Sequence, residues 1–172
     1  MNTLYYIDEL YMIANKHLEN DDNAEARKTL HKILLEDPTY GKAHNAMGWL
    51  LYVKLDEYAA AEIHYKAAIQ FEPTLPYVYF NYVNFLIYQN RYREARKIAF
   101  TGLEVGGSSK SALWAEIGRS FELEEQYREA MKAYYQALRK STEKSEIERM
   151  HANIARARAK IGLSLKRWLL SF

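Results

Sequence analysis

At 172 residues, 49% of them hydrophobic, the chain fits one domain with ample material for a core. Three Pro and seven Gly are too few for a turn-rich β fold, and the absence of Cys excludes disulfides, thiolate zinc sites and a thiol nucleophile. A net charge of +2 and a pI of 8.6 supply no broad basic field for nucleic acid, so none is expected as a partner.

In chain order, the start MNTLYYIDELYMIANK carries Asp8 and Glu9 and lacks both a basic opening and a long apolar run, so no secretory signal is expected. No stretch approaches the roughly 18 uninterrupted apolar residues of a membrane span. A cytoplasmic, soluble protein is the default expectation. Residues 1–38 hold four Lys/Arg against eight Asp/Glu, a net −4. The first helical pair reads LYMIANKHLE, then DDNA, then EARKTLHKILLEDP.

The second pair is KAHNAMGWLLYVK, LDEY and AAAEIHYKAAIQF, with Asp56 placed to cap its second helix. EPTLP follows, where Pro73 stops one helix and Pro76 sits near the start of another. FNYVNFLIYQN and REARKIAFTGLE make the third pair, closed by GGSS at 106–109. LWAEIGRSFEL and YREAMKAYYQALRK make the fourth. Beyond it Ile147, Met150, Ile154, Ala157 and Ile161 form one apolar stripe, with Arg149, Arg156 and Lys160 mostly off it. Ser141 or Thr142 is expected to cap this helix and Gly162 to close it. The remainder, LSLKRWLLSF, adds Trp168, Leu169, Leu170 and Phe172, and residues 139–172 carry a net +6.

The pairs keep one register. Ala26, Ala61, Ala95 and Ala130 are spaced by 35, 34 and 35 residues. Leu30, Tyr65, Ala99 and Tyr134 follow the same steps, as do Ile33, Ala68, Gly102 and Ala137. Another column is Ala14, Gly48, Val83 and Gly118. Antiparallel helices in a hairpin approach to about 8–10 Å, so small side chains are expected where they cross and rings in the wider gaps. One such hairpin cannot bury its apolar face alone, so the units must stack.

These residues resemble the tetratricopeptide repeat. The fourth unit carries the pattern most fully, through Trp114, Ile117, Gly118, Phe121, Tyr127, Ala130, Tyr134 and Ala137. The second does so through Met47, Gly48, Tyr58, Ala61, Tyr65, Ala68 and Pro73. The third departs at Val83 and Gly102, and the first is weakest, with Leu10, Ile13, Ala14, Ala26, Leu30 and Pro38. The resemblance implies an all-α, right-handed superhelix of about four hairpins. The repeats would lie near 7–40, 41–75, 76–110 and 111–144, a capping helix at 145–162 and an apolar basic tail at 163–172, all one domain over 1–172. The signature residues pack the core, so they speak for fold more than for function.

No catalytic constellation appears. The five histidines form no metal-ligand spacing, and no HExxH, GxSxG or phosphate-binding glycine loop is present. The chain reads as a non-enzyme, with no cofactor or metal expected.

By the same resemblance the first helix of each unit lines a concave side. Spacing gathers Tyr11 and Asn15, then Asn45, Trp49 and Tyr52, then Tyr77, Phe80, Asn81, Asn84 and Tyr88, then Arg119 onto that side. Rings give large contact area at low entropy cost, and Asn can pair with a peptide unit through both donor and acceptor. The reading is a protein-binding module, an adaptor or chaperone gripping a segment of another protein. A clamp for chaperone C-termini, also implied by the family, needs Lys, Asn, Asn, Lys and Arg. The matching positions are Tyr11, Asn15, Ala46, Tyr77 and Asn81, or Asn45, Trp49, Asn81, Ala112 and Glu116, and each set keeps one match, so that clamp is not expected. The alternative is an oligomeric assembly subunit that associates through Trp168, Leu169, Leu170 and Phe172, with the −4 head and +6 tail favouring contact between copies. Ten residues are short for a membrane-surface anchor, so a membrane partner is not expected.

Overall fold

The computed structural model describes the backbone of residues 3–169 and the side-chain surroundings of residues 5–163. Among the described residues there are nine α-helices: α1 (Thr3–Glu19), α2 (Asn23–Glu36), α3 (Gly41–Val53), α4 (Tyr58–Phe71), α5 (Pro76–Tyr88), α6 (Tyr92–Leu103), α7 (Lys110–Leu123), α8 (Tyr127–Lys140) and α9 (Lys144–Leu169). The chain divides into two compact units, Met1–Phe85 and Leu86–Phe172. In the first, α1 packs on α2, α2 on α3 and α3 on α4; in the second, α6 packs on α7, α7 on α8 and α8 on α9. Each unit is therefore a succession of antiparallel neighbours, as short connections dictate.

The repeat columns are the cores. Ala26, Ala61, Ala95 and Ala130 are all fully buried, as are Leu30, Tyr65 and Ala99, with Tyr134 1% exposed. The glycines have a more specific role than a close helix crossing. A Cβ on Gly48 would stand 3.1 Å from the Tyr65 ring, and one on Gly118 would stand 2.6 Å from the Tyr134 ring. Each glycine is thus a seat for the tyrosine of its own hairpin. The same two columns hold Val83 and Ala99 in the third repeat, both buried, with the larger side chain in the other column.

The turn inside each hairpin is the same motif four times. Asp21, Asp56, Asn90 and Glu125 all have φ between 55° and 60°. The following amide donates back five residues at three turns, Asp22 to His17 O (2.9 Å), Arg91 to Leu86 O (2.9 Å) and Gln126 to Phe121 O (2.8 Å), and six back at the other, Glu57 to Leu51 O (2.9 Å). A left-handed residue past the helix end lets the chain reverse while satisfying the last carbonyls. Asp and Asn tolerate that conformation; Glu125 has no such local compensation. Asp56 is consequently no helix cap. Glu57 precedes α4, without a side-chain cap, and the Asp56 carboxylate instead accepts from Tyr58 Oη at 2.6 Å. Tyr92 donates in the same way to Asn90 Oδ1, also at 2.6 Å.

Two expectations at the C-terminal end are corrected. Ser141 ends α8: its hydroxyl donates to Ala137 O at 3.0 Å and lies 2.8 Å from the Ser111 hydroxyl. Gly162 does not close the last helix, which runs on to Leu169. Nothing lies within 4 Å of where a Gly162 Cβ would be, so this glycine sits on an open helix face, where it costs only about 1 kcal/mol. The helix α9 docks through Met150, Ile154 and Ala157 against Ala130, Tyr134 and Ala137. A buried Glu122 reinforces it. That carboxylate takes Arg156 Nε and Nη2 at 2.8 Å, Lys160 Nζ at 2.9 Å and Tyr134 Oη at 2.8 Å.

Candidate protein-binding face

In the first unit, α1, α3 and α5 present the residues singled out by spacing. Tyr11, Asn15, Trp49, Tyr52, Asn81 and Asn84 are half-buried; Tyr77 and Phe80 are 40% and 37% exposed. Asn45 is buried, so it belongs to the floor of this face. Its Oδ1 accepts from Asn81 Nδ2 at 3.0 Å, a bond that ties α3 to α5. The two amides therefore satisfy each other in part, and an Asn at these positions has a packing role that spacing did not suggest. Asn84 Nδ2 donates to Phe80 O at 3.0 Å, one helical turn back.

The rings divide by what they touch. Tyr52 stands edge-on to Phe85 at 5.4 Å and near Tyr58 at 6.4 Å, packed between helices. Tyr11 stands edge-on to Tyr40 at 5.7 Å. Burial, with Tyr11 beside it, pushes the Tyr77 hydroxyl up. Lys54 Nζ lies 5.8 Å over the Trp49 ring and pairs with Asp21, so an ion pair borders Trp49. Tyr77 and Phe80 remain the open apolar surface.

Periodicity missed the edge of this face. Tyr40 is 5% exposed in the α2–α3 connection and donates to Asp8 Oδ1 at 2.6 Å; Lys42 Nζ stands 3.7 Å from the same oxygen. Burial and Asp8 together push the Tyr40 hydroxyl up. A loop residue carries no helical period, so only its aromatic character could have flagged it.

In the second unit the expected residues are Tyr88, 56% exposed at the end of α5, and Arg119, exposed on α7. Arg119 Nη1 donates to Glu116 Oε2 at 3.1 Å. Burial holds the Glu116 carboxyl above its usual range, opposed by Arg119 and Arg149. In the first unit α1, α3 and α5 thus present rings and amides, and in the second α7 presents the Arg119–Glu116 pair. The side chains of Trp168 and Leu169, and Leu170 and Phe172 altogether, lie outside the described residues. No group of three or more His, Cys, Asp or Glu that would suit a metal occurs among the described residues.

No protein-family model and no curated protein matches the chain. Solved structures do. A structure from the functional characterisation of Pseudomonas aeruginosa pilF superposes with a TM-score of 0.79 at 20% identity, covering 96% of this chain and 78% of that one. PilW, described as a widely conserved type IV pilus biogenesis factor, gives 0.73 at 14% identity, covering 94% and 78%. MamA from Desulfovibrio magneticus RS-1, residue 41 to its end, gives 0.70 at 14% identity, covering 97% of both chains. These neighbours contain tetratricopeptide repeats. The fold is that of the tetratricopeptide repeat. Identities this low carry the fold alone. Within the tetratricopeptide fold, α1, α3, α5 and α7 are the first helices of their repeats and α2, α4, α6 and α8 the second. No helix among the described residues is long and apolar enough to cross a membrane.

Proposed function

We propose that the inner face of the first unit grips a segment of a partner protein, making the chain a non-catalytic adaptor or chaperone. The observation that carries this reading is Tyr77 and Phe80 standing open beside the Asn45–Asn81 pair. An extended or helical segment with apolar side chains would cover these rings and Trp49. Its peptide groups would meet the remaining amide donor and acceptor of Asn81. Binding energy concentrates in such ring-centred patches, so few substitutions should remove most of it. The same role is proposed, within the second unit, for Tyr88 and Arg119. Replacing Trp49 and Asn81 together by Ala tests the reading in a pull-down: partner capture should be lost while helicity stays. Capture equal to that of the unaltered chain would reject it.

A second reading is assembly between copies through Trp168, Leu169, Leu170 and Phe172, supported by the net −4 of residues 1–38 and the net +6 of residues 139–172. Light scattering of the chain lacking 163–172 tests it: a fall in mass supports assembly, and an unchanged mass rejects it.

A further inference from the structure

One corner of the inner face holds more negative charge than the chain itself balances. Tyr11 on α1, Tyr40 before α3 and Tyr77 on α5 gather there, with Asp8 and Glu72 beside them. The Tyr11 and Tyr40 rings stand edge to face at 5.7 Å. Burial, then Tyr11 and Glu72, push the Tyr77 hydroxyl up; burial, then Asp8, Tyr11 and Glu72, push up that of Tyr40. Both hydroxyls therefore feel the Glu72 carboxylate.

Two acids share this corner with one cation. Lys42 Nζ stands 3.7 Å from Asp8 Oδ1 and 5.5 Å from the centre of the Tyr40 ring. The chain's own lysine thus balances Asp8, and it shows how the corner takes a positive group, between a ring and a carboxylate. Glu72 has no such partner: among the described residues no Lys, Arg or His pairs with it. Its Oε1 accepts from Gly41 N at 3.2 Å, at the start of α3. A Cβ on Gly41 would stand 2.7 Å from Glu72 Cβ, so the glycine lets this half-buried side chain lie where it does. Oε2 is left without a protein donor. The surrounding unit is acidic as a whole, with seven Lys/Arg against twelve Asp/Glu in residues 1–85, a net −5.

A net negative unit draws a basic segment towards it. At the corner itself, rings attract a cation and a carboxylate oxygen accepts from one. A guanidinium serves both at once, because it is planar, stacks on rings and carries several donors, whereas an ammonium is a compact point charge. We propose that this corner is the specificity pocket of the inner-face grip, and that it selects a partner segment carrying an arginine beside its apolar side chains. The guanidinium packs against Tyr11 and Tyr77 and donates to Glu72 Oε2, while Lys42 stays on Asp8. The apolar neighbours of that arginine cover Phe80 and Trp49. The proposal rests on the inner-face reading and adds the charge of the partner to it.

The test is NMR on the full chain with isotope-labelled Tyr and Trp rings, titrated with capped peptides that alternate leucine with arginine, glutamine or glutamate. The arginine peptide should shift the Tyr11, Tyr40 and Tyr77 rings and bind about tenfold more tightly than the glutamine one, the worth of one charge-assisted contact. The glutamate peptide should bind most weakly. Glu72→Gln keeps an oxygen for the Gly41 amide, so thermal melts should match the parent, yet the arginine preference should vanish with affinity for the glutamine peptide unchanged. The grip is read separately, from the Trp49 ring. Trp49 shifts with no preference for arginine would keep the grip and overturn the pocket. Tyrosine shifts and an arginine preference with Trp49 unmoved would support the pocket and reject the grip, and no binding of any peptide would reject both. A preference that survives Glu72→Gln, or the same tyrosine shifts on adding only unlabelled copies of the chain, would also overturn the proposal.

Discussion

Gly118→Ala is the substitution for which the fold makes its sharpest demand. The new Cβ would meet Tyr134 Cδ1 and Cε1 at 2.6 Å, where ordinary contact begins near 3.4 Å. The ring cannot swing aside freely. It is 1% exposed, and its hydroxyl donates at 2.8 Å to Glu122, itself held by Arg156 and Lys160. Forcing the ring or helix back by roughly 1 Å in a filled core costs about 1–3 kcal/mol. Gly→Ala in a helix interior returns about 1 kcal/mol. The net is a loss of about 1 kcal/mol, seen as a fall of several degrees, about 2–8 °C, in the thermal midpoint. Gly48→Ala, with its tightest contact at 3.1 Å, should be close to neutral, and Gly162→Ala, which meets nothing, should gain about 0.5–1 kcal/mol. The order is the assay: calorimetry or circular dichroism melts should rank Gly162→Ala above the unaltered chain and Gly118→Ala below it. In a Tyr134→Ala background the penalty at 118 should vanish. A Gly118→Ala variant as stable as the parent would show that the glycine is not the seat of the ring.

Three further predictions follow from the turns and the titrating groups. Glu125→Gly relieves a left-handed residue that has no local compensation and should stabilise by about 0.5–1 kcal/mol in denaturant melts, whereas Asp56→Gly should gain less because it loses the Tyr58 bond. His64 is held down to about 4, so the unfolded chain binds its proton first; the first unit should lose stability as pH falls from about 6.5 to about 4, read as loss of amide protection in α3 and α4. Arg156 holds Glu122 down to about 2, so α9 docking is fully present above the usual carboxylate range and is lost as pH falls from about 4.5 towards 2, and Glu122→Gln should flatten that acid limb.

The repeat was legible because it is written in side-chain volume. Ala26, Ala61, Ala95 and Ala130 recur at near-constant steps, and each is fully buried. Pro76 likewise marks the helix start it occupies, since α5 opens there. Turn geometry was not legible. An Asp before a helix suggests a cap, but at Asp56 the preceding helix needs a left-handed residue more than the next one needs a cap. The end of α9 was missed for a related reason. A glycine stops a helix only when the backbone must turn there, and at Gly162 nothing forces it to.

The candidate face was legible at the level of which residues share a side, since that follows from helical spacing. Pairing across helices was not. Asn45 and Asn81 lie 36 positions apart, and only the packing of α3 on α5 brings their amides to 3.0 Å. The His44–His64 pair has the same origin, since spacing along one helix says nothing of a contact between two.

The account stands or falls on whether a partner chain lies on the inner face of the first unit. Photo-crosslinking reads this directly, with benzoylphenylalanine placed at position 80 and, as control, at position 132, where the lysine is exposed on α8. The account predicts a discrete polypeptide adduct from position 80 in the native cell extract, lost on Trp49→Ala with Asn81→Ala, and none from position 132. Adducts at 132 with none at 80 would contradict it.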